Sequence, residues 1–149
     1  MLLYIRIANT SDISYLKELF KNTILSINTN NYTKEEANDW ASCGNDDLHW
    51  QKLISELYFI VAENELQQIV GFSSIDQEGY LHSIFVHSDF QKLGVATFLY
   101  KGIEAYAVNS NIHKITSEVS ITARPFFEKQ GFKVDATQKR KANKLYLTK

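Results

Sequence analysis

The segment that most limits the fold of this chain lies between residues 81 and 106. Leu81-His82-Ser83-Ile84-Phe85-Val86-His87 is an apolar run that stops at a polar turn, and Val95 or Ala96, Leu99, Ile103 and Tyr106 then recur at the helical period. A further strand pattern follows at residues 113–119. A strand–helix–strand unit of this length sets its two strands parallel, with a right-handed crossover. Between the first strand and the helix stands Gln91-Lys92-Leu93-Gly94-Val95-Ala96-Thr97. A helix that opens on glycine and small residues presents its first amides, and the positive end of its dipole, to whatever lies in front. That is a natural anion site. Gly94 lets the backbone approach a phosphate closely, Ala96 adds almost no bulk, and Gln91 and Lys92 bring side-chain donors.

The remaining segments arrange themselves around this unit. Residues 2–8 alternate as a strand, with Leu3, Ile5 and Ile7 on one side. Thr10-Ser11-Asp12 supplies caps for a helix carrying Ile13, Leu16, Leu19, Phe20 and Ile24. Residues 26–31 read as a loop. Thr33 with Glu36 is a capping box for a short helix reaching Trp40, and Asp46 or Asp47 caps a third with Trp50, Leu53, Ile54 and Leu57 on one face. Strands at 58–62, 68–75 and 81–87 have short connections and form an antiparallel meander. The helix over about 93–108 ends at Asn109-Ser110-Asn111. Ser120 or Thr122 opens a short helix over 123–130, with Pro125 in its first turn and Gly131 after its end. Residues 132–137 and 144–147 close the chain as strands.

With 149 residues, no repeat and no linker, one domain over residues 1–149 is expected. A net charge of −1 provides no global field to recruit nucleic acid or anionic lipid, so any anion site must be local. Lys139-Arg140-Lys141 and Lys144 lack interleaved aromatics and read as a solvated turn. Cys43 stands alone, which rules out an internal disulfide, offers no metal site and fits a reducing compartment. No apolar run reaches membrane-spanning length and no leader-like segment opens the sequence, so a cytoplasmic protein is expected.

Two stretches carry a family likeness. Gln91-x-x-Gly94-x-Ala96, after a strand and before a helix, resembles the acyl-CoA pyrophosphate loop of the GNAT superfamily of N-acetyltransferases. Ala123-x-x-Phe126-Phe127-Glu128-Lys129-x-Gly131-Phe132 resembles a second segment of that superfamily, with Ser120 in place of the usual Asn and Phe127 in place of the usual Tyr. Tyr32 to Trp40 and Ser120 to Phe132 are similar to the YafP-type group of acetyltransferases. The resemblance implies an α+β, GNAT-like (acyl-CoA N-acyltransferase) fold. Its mixed, mostly antiparallel central sheet has about seven strands, flanked by about four or five helices, and the parallel strands splay apart.

It also implies acetyl-CoA as cosubstrate, no metal, and transfer of acetyl to the amine of a small molecule or peptide by direct attack. Pantetheine, with two amides, fits the splay like a short extra strand beside Ile84, the backbone of Phe85 and Val86, and Ser120. The pyrophosphate then reaches Gln91, Lys92, Leu93, Gly94, Val95, Ala96 and Thr97, with Lys129 and Phe127 nearby. A backbone N–H near Ile84 and Phe85 is the expected oxyanion donor.

The family's tyrosine proton donor is absent at Phe127, so Tyr80, Tyr146 or water must serve. His82, one strand pitch before Ile84, leads as base, and Glu118, near the end of the fifth strand, is the other candidate to approach the acceptor. Trp40, His49 and Trp50 fall in the segment that frames the acceptor in similar proteins, among which homodimers are common. A second reading, motivated by Phe127, is a catalytically weak acyl-CoA binding or sensing domain of the same fold. A nucleotide-binding protein is disfavoured, because no Gly-x-x-x-x-Gly-Lys-Ser/Thr and no second glycine two residues from Gly94 occur.

Overall fold

The computed structural model describes residues 1–26, 32–119, 122–137 and 145–148. Its strands are β1 (Leu3–Ile7), β2 (Tyr58–Asn64), β3 (Ile69–Ile75), β4 (Tyr80–Val86), β5 (Thr116–Val119), β6 (Lys133–Thr137) and β7 (Leu145–Thr148). They form one seven-stranded sheet in the order β1-β2-β3-β4-β5-β7-β6. Among the described residues only β4 and β5 run parallel, as the long helical connection between them requires. The helices are α1 (Ile13–Ser26), α2 (Lys34–Ser42), α3 (Asp47–Glu56), α4 (Val95–Asn109) and α5 (Arg124–Lys129).

Alternation along the strands divides the core in two. Ile60 and Ala62 of β2 face α4 and α5, where they pack with Leu99, Tyr100, Ile103 and Phe127. Phe59 and Val61 face the other way and pack with Leu16, Leu19 and Trp50 from α1 and α3. Gly71 of β3 sits directly beneath α4. A Cβ there would come within 2.8 Å of the Phe85 carbonyl oxygen and 2.9 Å of Leu99 Cδ1, so its absence lets the helix settle onto the sheet.

A single extra residue in β4 matters more than any other detail of the sheet. Ser74 pairs with Ser83, but Ile75 pairs with Leu81, which leaves His82 as the bulge. Leu81 therefore lies in the α4 core, as do Ile84 and Val86, while Phe85 packs against α1 and α2. The hydrogen-bonding phase shifts with it. His87 N–H bonds to Val70 O at 2.8 Å, so the pairs 72/85 and 74/83 are also the bonded ones. The backbone groups of Ile84 and Val86 consequently turn toward β5.

Several boundaries differ from the sequence-based reading. A 3₁₀ turn at Thr10–Asp12 precedes α1 and is capped by Asn9 in a capping box whose other half is Asp12, which accepts from Asn9 N–H and also pairs with Arg6. A second 3₁₀ turn, Ser88–Phe90, occupies part of the predicted loop, and α4 begins at Val95 rather than Leu93. The fifth strand is four residues, starting at Thr116 rather than 113. Ala123 rather than Ser120 or Thr122 stands at the N-cap of α5. The capping box of Thr33 and Glu36 and the Asp46 cap are present as read. The predicted loop at 27–31, Ser120, and Lys139-Arg140-Lys141 with Lys144 lie outside the described residues.

Candidate functional site

β4 and β5 are in register only at Tyr80/Thr116 and Leu81/Ser117, after which they part. Ser117 Oγ donates to Leu81 O at 2.8 Å and pins the fork at its narrow end. On the far side β5 is held by β7 through Val119/Leu145, so it cannot swing back to meet β4. The opening forms a cleft of about 1400 Å³ that runs through the sheet, from the N-terminus of α4 on one face to α3 on the other. Ile84 and Val86 present backbone N–H groups to it. The Val86 carbonyl is already engaged by Thr23 Oγ1 at 3.0 Å and Gln91 Nε2 at 2.8 Å.

At the wide mouth, α4 has no side-chain cap. Phe98 N–H is satisfied by Gly94 O, which leaves the amides of Val95, Ala96 and Thr97 as the open N-terminal set. Gly94 has φ +87°, and a Cβ there would meet no protein atom within 4 Å, so the approach to those amides is unobstructed. Lys92 also holds a positive φ, 60°, which is uncommon for a residue with a Cβ and costs about 1–2 kcal/mol. Strain of this kind collects where a loop's shape is used.

Gln91, Lys92, Gly94, Val95, Ala96, Thr97, Phe127 and Lys129 all line the cleft, as do Ile84, Phe85 and Val86. Three of these differ in role from the sequence-based reading. Gln91 spends its side-chain amide on Val86 O, so it braces the loop instead of offering a donor to an anion. Phe85 turns its backbone toward β3 by the ladder phase, and its ring is what it brings to the cleft. Phe127 is 1% exposed and packs edge-on against Phe132 at 5.0 Å, which makes it chiefly a core residue. Leu93 points outward, 57% exposed, and does not line the cleft. Tyr100, one helical turn from Glu104 and buried beneath α5, has its hydroxyl pKa pushed up, first by burial and then by that carboxylate.

The opposite end of the cleft is aromatic and acidic. Trp40 and Phe20 meet the ring of Phe85 at 6.3 and 5.1 Å. Trp50 is a buried wall, its Nε1 donating to Gly44 O at 2.8 Å, whereas His49 beside it is exposed at the rim. Glu56, Asp76, Glu78, His82 and Glu118 also line this end. Tyr80 does not: its ring lies edge-on to His82 at 4.6 Å, off the cleft wall. The side chain of Tyr146 is outside the described residues.

Sequence reasoning missed Asp76, Thr23, Phe20 and the serine pair Ser74–Ser83, whose hydroxyls lie 2.7 Å apart. Asp76 carried a signal, since an Asp opening Asp-Gln-Glu-Gly is a side-chain-capped turn. The others meet the site only through tertiary packing.

Comparison with known proteins agrees with this geometry. The model of the acetyltransferase (GNAT) domain family matches residues 28–149. The uncharacterized N-acetyltransferase YafP of Escherichia coli (strain K12) is 27% identical over 135 residues, covering 91% of this chain and 84% of that protein. A GCN5-related N-acetyltransferase from Rhodopseudomonas palustris superposes with a TM-score of 0.92 at 22% identity, over 100% of this chain and 98% of the other. PaiA N-acetyltransferase from Thermoplasma acidophilum, solved with coenzyme A, gives 0.87 at 17% identity, over 100% and 99% of the two chains. At those identities the structures speak for the fold.

Proposed function

This chain belongs to the GNAT acetyltransferase family, and from that premise we propose that it carries acetyl from acetyl-CoA to the primary amine of a small molecule or peptide within the β4–β5 cleft. The observation that carries the reading is the fork itself, with the amides of Ile84 and Val86 turned into it and the uncapped end of α4 at its mouth. Pantetheine amides pair with Ile84 and the Val86 N–H, and the pyrophosphate rests on the amides of Val95, Ala96 and Thr97 with Lys92 and Lys129 alongside. A coenzyme seated this way leaves its thioester beside the bulge. In this reading the Ile84 N–H is the donor that stabilises the developing oxyanion, while the Ile84 carbonyl and the Val86 N–H pair with pantetheine.

The acceptor enters from the end lined by Trp40, His49 and Trp50. Glu56 and Glu78 favour a cationic amine there, and the aromatic rings favour an apolar body behind it. A free ammonium has a pKa of about 10.4, so a base is needed at neutral pH. His82 fills that role, with the Glu118 carboxylate the second candidate within the cleft. The amine nitrogen forms a bond to the carbonyl carbon and gives up a proton. The C–S bond then breaks with its electron pair on sulfur. Phe127 has no proton to supply, and a thiol of pKa near 8.5 leaves readily with a proton from water.

Thiol release from acetyl-CoA, measured across a panel of aliphatic, aromatic and peptide amines, tests this reading. Turnover with cationic amines is expected. The buried, hydroxyl-free Phe127 favours one second reading, an acyl-CoA sensor of the same fold. Tight binding with no turnover over the whole panel would select it.

A further inference from the structure

We propose that Asp76 is the positioning residue of a carboxylate–imidazole pair, holding His82 at the β4 bulge so that its Nδ1 takes the proton of the acceptor amine. This rests on the cleft being the acetyl-transfer site and deepens that reading by assigning what steers the base. Asp76 closes the β3–β4 turn: its Oδ1 accepts from Glu78 N and Tyr80 N, both at 2.9 Å. The carboxylate is therefore fixed by backbone, not free to rotate, and its Oδ2 lies 3.3 Å from His82 Nε2. An ionised carboxylate only accepts hydrogen bonds, so the proton of the neutral imidazole is placed on Nε2 and the lone pair on Nδ1.

The ring is held from a second direction by Tyr80, edge-on at 4.6 Å. His82 nevertheless keeps its side chain 34% exposed and lines the cleft. The bulge explains how one residue manages both. As the extra residue of β4, His82 is out of step with its neighbours and can lean back to the turn that precedes its own strand. The pair also does more for the transition state than for the ground state. Once Nδ1 has taken the amine proton, the imidazolium faces Asp76 as an ion pair, an interaction absent before transfer. The other titratable groups lining this end of the cleft, among the described residues, are Glu78 from the turn, Glu118 from β5, His49, Lys52 and Glu56 from α3, and the Cys43 thiol after α2.

Asp76→Asn is the informative variant. Its side-chain oxygen still accepts from Glu78 and Tyr80 N–H, so the turn is kept. Its amide then donates toward Nε2, which forces the proton of His82 onto Nδ1 and removes the lone pair from the reacting side. The expected result is a fall in kcat of about 10²-fold with acetyl-CoA affinity within twofold and an unchanged melting temperature. His82→Gln should lower kcat similarly and abolish the acid limb of the kcat/KM profile, and the double variant should be no worse than His82→Gln alone. Nitrogen NMR of the His82 ring should report a protonated Nε2 in the parent protein and a protonated Nδ1 in Asp76→Asn. A parent ring protonated on Nδ1, or an Asp76→Asn variant with parental kcat, overturns the proposal. Acetyl-CoA binding without transfer to any amine overturns the base assignment, whereas no binding of acetyl-CoA overturns the functional reading beneath it and leaves the ring tautomer to be judged by NMR.

Discussion

Gly94 separates backbone effects from charge. Since a Cβ at this position meets no protein atom within 4 Å, Gly94→Ala bears only the left-handed penalty of about 1–2 kcal/mol. Gly94→Glu bears the same penalty and adds a negative charge beside three unpaired amides. Calorimetry with acetyl-CoA should show Ala within about threefold of the parent and Glu weaker by tenfold or more. Equal losses would mean that loop shape, not the field of α4, holds the anion. Asp12 tests a different residue-scale term. Arg6 grips it through both carboxylate oxygens at 2.8 Å and, chiefly by those hydrogen bonds, holds its pKa below the ordinary 3.8. A depressed carboxylate stabilises the fold fully above its unfolded pKa and loses that contribution as pH falls through the lower, folded value. Asp12→Asn should thus cost about 1–2 kcal/mol at pH 7 and flatten the stability curve below about pH 4, as read by urea unfolding at stepped pH.

Among the elements, β4 decides the site and α4 depends on how closely it lies on β3. Gly71→Ala would push a methyl into the Phe85 carbonyl and Leu99, a collision with backbone that cannot be relieved by a rotamer change. A loss of about 1–3 kcal/mol is expected, with weaker acetyl-CoA binding as the N-terminus of α4 lifts. Hydrogen exchange offers a finer test of strand phase. Acetyl-CoA should slow exchange at the Ile84 and Val86 amides and leave Phe85, already bonded across to β3, unchanged; slowing at Phe85 alone would reverse the assigned phase.

Much at this scale was legible in the sequence because its signals are local. The capping box at Thr33, the Gly94 opening of α4 and the period of Leu99 and Ile103 each act within a turn or two. The His82 bulge was not legible, since a bulge is a count of residues between two partner strands and neither strand records it alone. Strand phase likewise commits the Phe85 backbone to β3, and tertiary packing commits the Gln91 amide to Val86 O; neither is visible in the local sequence.

On the scale of the whole molecule, the fork divides the sheet into a four-stranded antiparallel block, β1 to β4, and a smaller β5-β7-β6 unit, joined in register only at Tyr80/Thr116 and Leu81/Ser117 among the described residues. A ligand that bonds both sides of the fork should therefore tie the two blocks together. At one hundred times its Kd, acetyl-CoA stabilises a one-site protein by about 2.7 kcal/mol, or roughly 5–11 °C in Tm for a chain of this size. A thermal scan with and without acetyl-CoA measures that shift, and an unmoved transition at saturating acetyl-CoA would refute binding across the fork.

The additional residue at position 82 also sets a rule for inheritance. Substituting His82 alters chemistry while preserving the odd–even phase of the strand, so Ile84 and Val86 still look into the gap. Deleting His82 would join Ile75/Leu81 and Ser74/Ser83 into one unbroken ladder, which keeps the Ile84 and Val86 amides facing the gap and removes the imidazole that reaches back to Asp76. Descendants of this gene can thus lose the imidazole by substitution or by deletion and still keep the edge on which the coenzyme docks, so acetyl-CoA affinity should outlast turnover.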